Sequence, residues 1–205
     1  MKSFNSTAVL QELQADVRQL VLGVSYLQKE DPELLELIPA PGKWSVAQVL
    51  EHLNSYGRYY LPAIEKSLRA NKPRKEQFTP GWFGNYFTRI MKPGKDGKVH
   101  NKMSSPKDHR PSASPDVKPV VDEFMDQQHR LLRLLEQSKQ KNIGAIRTPI
   151  SISRFIKLKL GDTFRFLVAH EQRHFVQITN AIREIQRTTG KFQSAPLAIQ
   201  HSPVF

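Results

Sequence analysis

The stretch Leu160-Gly161-Asp162-Thr163-Phe164-Arg165-Phe166-Leu167-Val168-Ala169-His170-Glu171-Gln172-Arg173-His174-Phe175-Val176-Gln177-Ile178 reads as one long helix. Phe164, Leu167, Val168, Phe175, Ile178 and then Ile182 fall on one side of a helix, the signature of a buried face. Gly161-Asp162 opens this helix, and Gly190 suits the position just past its end. His170 and His174 stand four apart, so they share one face about one turn apart. Two imidazoles placed this way can grip one metal ion. A third from a neighbouring helix would complete a three-ligand site with open coordination positions, which is what separates a working metal from a structural one.

Other helices surround that one. Val9, Leu10, Leu13, Val17, Leu20, Val21, Val24 and Leu27 mark a helix within residues 7–29, broken by Asp31-Pro32. Leu34, Leu35, Leu37 and Ile38 form a short connection that ends at Pro39-Ala40-Pro41-Gly42. Ser45, with Gln48 three residues later, makes a capping box, and Trp44 is placed to pack on Val49 as a hydrophobic staple. Val46, Val49, Leu50, Leu53, Tyr56, Tyr60 and Ile64 carry that helix to about Ala70, and Pro62 is expected to bend it. His52 lies in its second turn. Val117–Gln140 is again helical, with Val121, Phe124, Met125, Leu131, Leu132 and Leu135 on its face. An extended or short-helical connection runs from Asn142-Ile143-Gly144 through Pro149.

No convincing run of alternating strand residues is present, so the expected class is all-α. Four long amphipathic segments in about 200 residues imply a four-helix bundle. The connections exceed what an up-down-up-down hairpin needs, so at least one crossover is expected. Residues 1–205 read as one domain, with a C-terminal tail at 191–205.

Between the second and third long helices lies a basic, Pro-rich insertion, residues 71–118. It holds eleven Lys or Arg against four Asp or Glu, and six of the fourteen prolines, so more than half of the net charge of +12 sits there. A basic surface attracts phosphates, which raises nucleic acid as a partner. The prolines and glycines that interleave the lysines favour a solvated, mobile loop from Lys92 to Pro115, and the aromatics that could stack on bases stop at Phe87. Trp82, Phe83, Tyr86, Phe87 and Ile90 are read as a short helix folded onto the bundle. Hydrophobic residues at 39% and charged residues at 24% describe a globular rather than a disordered chain. No apolar run reaches the roughly 20 residues of a membrane helix. The absence of cysteine excludes disulfides, thiolate ligands and a cysteine nucleophile. With no apolar signal segment behind Met1-Lys2-Ser3-Phe4, a cytoplasmic address is expected.

Seven histidines compete for the metal reading. His100 and His109 in the basic loop, and His201 in the tail, are expected in solvent, and His129 on the surface of its helix. His52, His170 and His174 remain as ligands, and neutral imidazole suits zinc, nickel and other divalent first-row metals. His170 to His174 also spells H-E-x-x-H, the zincin protease motif with Glu171 as general base. Polar Gln172 and charged Arg173 in its middle, the missing metzincin extension and the lack of a strand lobe all speak against that enzyme class. Glu171 is a weak candidate base. It is turned about 100° from His170 around the helix, so a surface or supporting role suits it better.

Trp44-Ser45-Val46-Ala47-Gln48-Val49-Leu50-Glu51-His52-Leu53 resembles the W-S-x-x-x-x-x-x-H-L segment of the DinB/YfiT-like proteins. Residues 160–178 resemble that family's last helix with its H-x-x-x-H-x-x-Q pattern. The order and spacing agree along nearly the whole chain. The resemblance implies a four-helix bundle with a crossover, frequently a homodimer, and a divalent metal on three histidines, here His52, His170 and His174. Relatives include metal-dependent hydrolases, and transferases or isomerases that use low-molecular-weight thiols. The expected function is therefore a metal-dependent enzyme acting on a small-molecule substrate, with water or a small thiol cosubstrate at the open position. The competing expectation is a non-enzymatic bundle that docks an acidic partner or nucleic acid through the basic segment.

Overall fold

The computed structural model describes residues 2–192 apart from Lys95 and Lys102. It is mostly helical. Helix α1 spans Ser6–Leu27, capped by Asn5, whose Oδ1 accepts from the Ala8 amide at 3.0 Å. A short helix α2, Pro32–Glu36, follows with Asp31 as its cap and Pro32 in its first turn. Helix α3, Val46–Leu68, begins at the expected capping box, with Ser45 and Gln48 bonded reciprocally, and it runs through Pro62 without a break. Helix α4 is Trp82–Met91, α5 is Val117–Ser138, and α6 is Leu160–Thr189. Gly190 ends α6 at φ +69°, the left-handed conformation that glycine adopts without steric cost.

Two apolar cores share the four long helices. One holds Val9 to Val17 of α1, Tyr56 to Leu68 of α3, Leu131 to Leu135 of α5 and Leu160 to Val168 of α6. The other holds Leu20 to Leu27, Val46 to Leu53, Val117 to Phe124 and Phe175 to Ile185 of the same helices, with α2. The first half of α1 thus meets the second half of α3 and α5 and the first half of α6. So α1 and α6 run one way, α3 and α5 the other. The parallel pair α3 and α5 can be joined only by a segment that travels back along the molecule, and residues 69–116 do this. The long helices lie with α3 beside α5 and α6, and α1 beside α5 and α6.

Two small sheets correct the all-α expectation. Strands β1 (Phe4–Asn5) and β2 (Gln77–Phe78) pair antiparallel, and so do β3 (Arg147–Ile150) and β4 (Ser153–Lys159), with Arg147 opposite Lys159 and Thr148 opposite Leu158. The hairpin escaped the sequence pattern for physical reasons. Pro149 sits inside a strand, the register slips between Pro149 and Ile150, and Phe155 points fully into solvent, so no clean alternation survives.

Helix α4 docks on α6, but not by the face expected. Gly84 and Thr88 are buried, whereas Trp82, Phe83 and Tyr86 remain exposed; Phe87 packs inward. The anchor is polar. The Gly81 amide donates to Asp162 Oδ2 at 2.7 Å, Asp162 pairs with Arg165 at 3.2 Å with both side chains buried, and Arg165 reaches Asn85 at 3.3 Å. A Cβ at Gly84 would fall 2.3 Å from Cβ and Cγ of Asp162. Because that carboxylate is fixed by its ion pair, Gly84→Ala should destabilise the protein by about 1–3 kcal/mol, the usual cost of overpacking. Urea unfolding measures this, and a change within ~0.5 kcal/mol, the scatter of ordinary surface substitutions, would contradict the docking described.

Candidate metal centre

The seam between the two cores is polar. On α3, Leu53 belongs to one core and Tyr56 to the other; on α6 the change falls between Val168 and Phe175. His52, His170 and His174 occupy that seam, brought there by the register that the Ser45 cap gives α3 and by the four-residue spacing on α6. One ring nitrogen from each of the three lies within 4.8 Å of those of the other two. His52 Nε2 and His170 Nε2 are 3.3 Å apart. Two nitrogens bound tetrahedrally at about 2.0–2.1 Å from one zinc ion lie roughly 3.3–3.4 Å apart, so this spacing already suits a shared ion.

Neighbouring groups fix the tautomers. His52 Nδ1–H donates to the His109 carbonyl at 2.6 Å, and His174 Nδ1–H donates to Gln177 Oε1 at 3.0 Å. In both rings the Nε2 lone pair is left for a metal, the usual role of a partner on the far nitrogen of a ligating histidine. His170 Nδ1 is buried without a partner among the described residues. Burial lowers the pKa of His52 to about 4 and that of His174 to about 3, and pushes His170 well below its ordinary value. All three are therefore neutral at physiological pH, the state in which imidazole binds metal. The donor set fits a divalent first-row ion.

The site opens into a cavity of about 1120 Å³, walled by Tyr56, Tyr60, Phe87, Met91, Leu158 and Phe166. Tyr56 packs on His170 with ring centroids 4.3 Å apart, and burial raises its pKa to about 12, so it keeps its proton.

A profile of the DinB superfamily matches residues 8–178, a span that takes in all three histidines and Gln177. The chain belongs to the DinB superfamily. No curated protein and no solved structure matches it well enough to refine that assignment.

Two residues of this DinB-superfamily chain lie elsewhere than the sequence suggested. His109 was expected in solvent, yet it is buried. Its ring stacks on Tyr56 with centroids 3.9 Å apart, and its Nδ1 meets the Ser55 hydroxyl at 2.9 Å. It ends a 3-10 turn, Lys107–His109, which carries the basic segment onto α3 and places the carbonyl that orients His52. Backbone acceptors leave no mark on side-chain periodicity; only Pro106 hinted at a turn. Glu171 is not on the surface either. It crosses the core to α5, where Gln128 Nε2 donates to its Oε1 at 3.1 Å, and burial raises its pKa to about 8. Among the described residues that line the cavity, Glu171 does not appear. His100, with Asp96 at 3.0 Å, and His129 are exposed as expected; His201 lies outside the described residues.

These shifts oppose one another in the metal-free protein. The imidazoles resist protonation when folded, so their contribution to stability is complete above pH 6.5, their ordinary value, and is lost as pH falls toward about 4. Glu171 behaves oppositely: its contribution is complete below pH 4.5 and is lost as pH rises through about 8. The melting temperature of chelator-treated protein should therefore peak near pH 6.5 and decline on both sides. Glu171→Gln should flatten the alkaline side alone; an alkaline decline that survives the substitution must have another source.

Proposed function

We propose that this protein is a metal-dependent enzyme built on a four-helix bundle whose crossover is the basic segment. His52, His170 and His174 hold the ion, Zn²⁺ or Ni²⁺, and a small molecule is turned over by hydrolysis or thiol transfer. The observation that carries this reading is three neutral imidazoles converging at the wall of a large, mainly apolar cavity. When bound, a divalent ion supplies Lewis acidity that makes a water or thiol nucleophilic near neutral pH.

The chain's own residues set the conditions for that chemistry. The His109 carbonyl and Gln177 hold two ligand rings in one tautomer and orientation. Tyr56 keeps its phenolic proton at the cavity wall and so offers a donor rather than a charge. Phe87, Met91 and Phe166 give the inner surface an apolar lining. A thiol nucleophile would come from a cosubstrate, since the chain has no cysteine. The proposal extends to a cytoplasmic homodimer with no nucleic-acid role. Among the described residues no helix is long and apolar enough to cross a membrane. Against the docking-module reading stands the use made of the basic segment: α4 packs on α6, and His109 packs at the histidine cluster.

Elemental analysis of the purified protein should return about one divalent ion per chain, the occupancy of a single three-histidine site. His170→Ala should abolish it and leave the circular dichroism helical, because the apolar stripes hold the helices together. Metal retained at wild-type stoichiometry would refute the ligand assignment. Gln177→Leu, which frees the His174 ring, should weaken metal affinity by roughly 10–100-fold, as read by competition with a chelating dye.

A further inference from the structure

Phe166, His170, Arg173, His174 and Gln177 form one face of α6, and that face lines the cavity. Arg173 is turned about 60° around the helix from His170 and is next in sequence to His174. It is buried, at 8% exposure. Its guanidinium donates to two backbone carbonyls, those of Ile90 at 3.5 Å and Asn101. Both partners are neutral, and among the ion pairs of the described residues none includes Arg173. Arg165, two turns earlier on the same helix, shows how this chain treats a buried guanidinium that serves the fold: it is paired with Asp162. Among the described residues, the remaining charged ones on the cavity wall are Lys43, Arg110 and Glu184, so cations predominate there too.

We propose that the cavity takes a molecule bearing an anionic group, a carboxylate or a phosphate, on an apolar body, and that Arg173 seats that group beside the three histidines. A buried cation without a counter-charge is costly, and a ligand anion removes the cost. The planar fork of guanidinium matches carboxylate and phosphate oxygens. The two carbonyl bonds hold the fork in place before the ligand arrives, so little ordering remains to be done on binding. The aromatic and aliphatic walls fit the apolar body, and about 1120 Å³ leaves room for an extended one. Anchoring the anion at Arg173 would hold the rest of the molecule at a set distance from the histidine cluster.

The inference rests on reading the cavity as the substrate site, but it is tested without turnover. Decanoate, decyl phosphate and decanol are titrated calorimetrically into the full chain, metal-free and zinc-loaded. In the metal-free protein one or both anions should bind roughly 10–100-fold tighter than the alcohol, the range for charge-assisted hydrogen bonds. The stronger anion identifies the group. Arg173→Gln, which keeps a donor for the carbonyls, should abolish the preference, and Arg173→Lys should keep part of it. Melting temperatures of both variants establish that they fold. Equal affinity of wild type for all three probes overturns the proposal whatever the variants do. A preference that appears only with zinc and survives Arg173→Gln also overturns it, and places the anion on the metal. Loss of zinc binding with the anion preference intact would instead count against the metal reading alone.

Discussion

Burial of uncharged imidazoles where two apolar cores meet is the constraint on which this protein turns. Each core by itself is an ordinary assembly of helix stripes. Between them, α3 and α6 place His52, His170 and His174, while Asn54, Gln128 and Glu171 occupy the same level of the interior. Such a layer costs stability wherever its polar atoms are left unmatched. Asn54 donates to the Val120 carbonyl at 2.8 Å, Gln127 to the Asn54 carbonyl at 3.2 Å, and Gln128 to Glu171. Several oxygens and nitrogens of the layer, including His170 Nδ1, stay without a partner among the described residues. The layer therefore departs from ordinary core packing at the level of the three histidines, the kind of local departure that functional sites carry.

The basic segment has a structural task as well as a charge. It returns the chain along the molecule so that α5 can lie parallel to α3. On the way it lays α4 on α6 through the Gly84 and Asp162 contact, then presses His109 onto Tyr56. Among its described lysines, Lys72, Lys75, Lys98 and Lys107 remain exposed while Lys92 is half-buried, and the buried points of the connection include Phe78, Thr88 and His109.

What could be read in the sequence was whatever repeats. The stripes of α1, α3, α5 and α6, the Ser45–Gln48 cap and the stop at Gly190 are local patterns, and each lies within a residue or two of its expected place. The three histidines could be grouped because two share a helix face and the third follows a sharp helix start. What could not be read depends on partners distant in the chain. His109 matters through a backbone carbonyl that no spacing advertises. Glu171 differs from a surface glutamate only because Gln128 lies across from it. The hairpin at residues 147–159 breaks its own alternation, and α4 hides a glycine face while leaving Trp82, Phe83 and Tyr86 outside.

The pairing of the long helices carries a consequence for assembly. α1 and α3 lie diagonally across the core, as do α5 and α6, and every side-by-side contact joins a helix of the first half to one of the second. Of the long helices consecutive in the chain, α3 and α5 pack side by side, and residues 69–116 stand between them. Mostly helical chains fold fast when their contacts are local; here the entropy of closing long loops must be met before lateral packing begins. The two halves interlock as they form. A nucleus for folding on α3 and α5 already joins residues such as Asn54 and Val120, 66 positions apart, and His52 meets His170, 118 positions on, only after the halves have engaged.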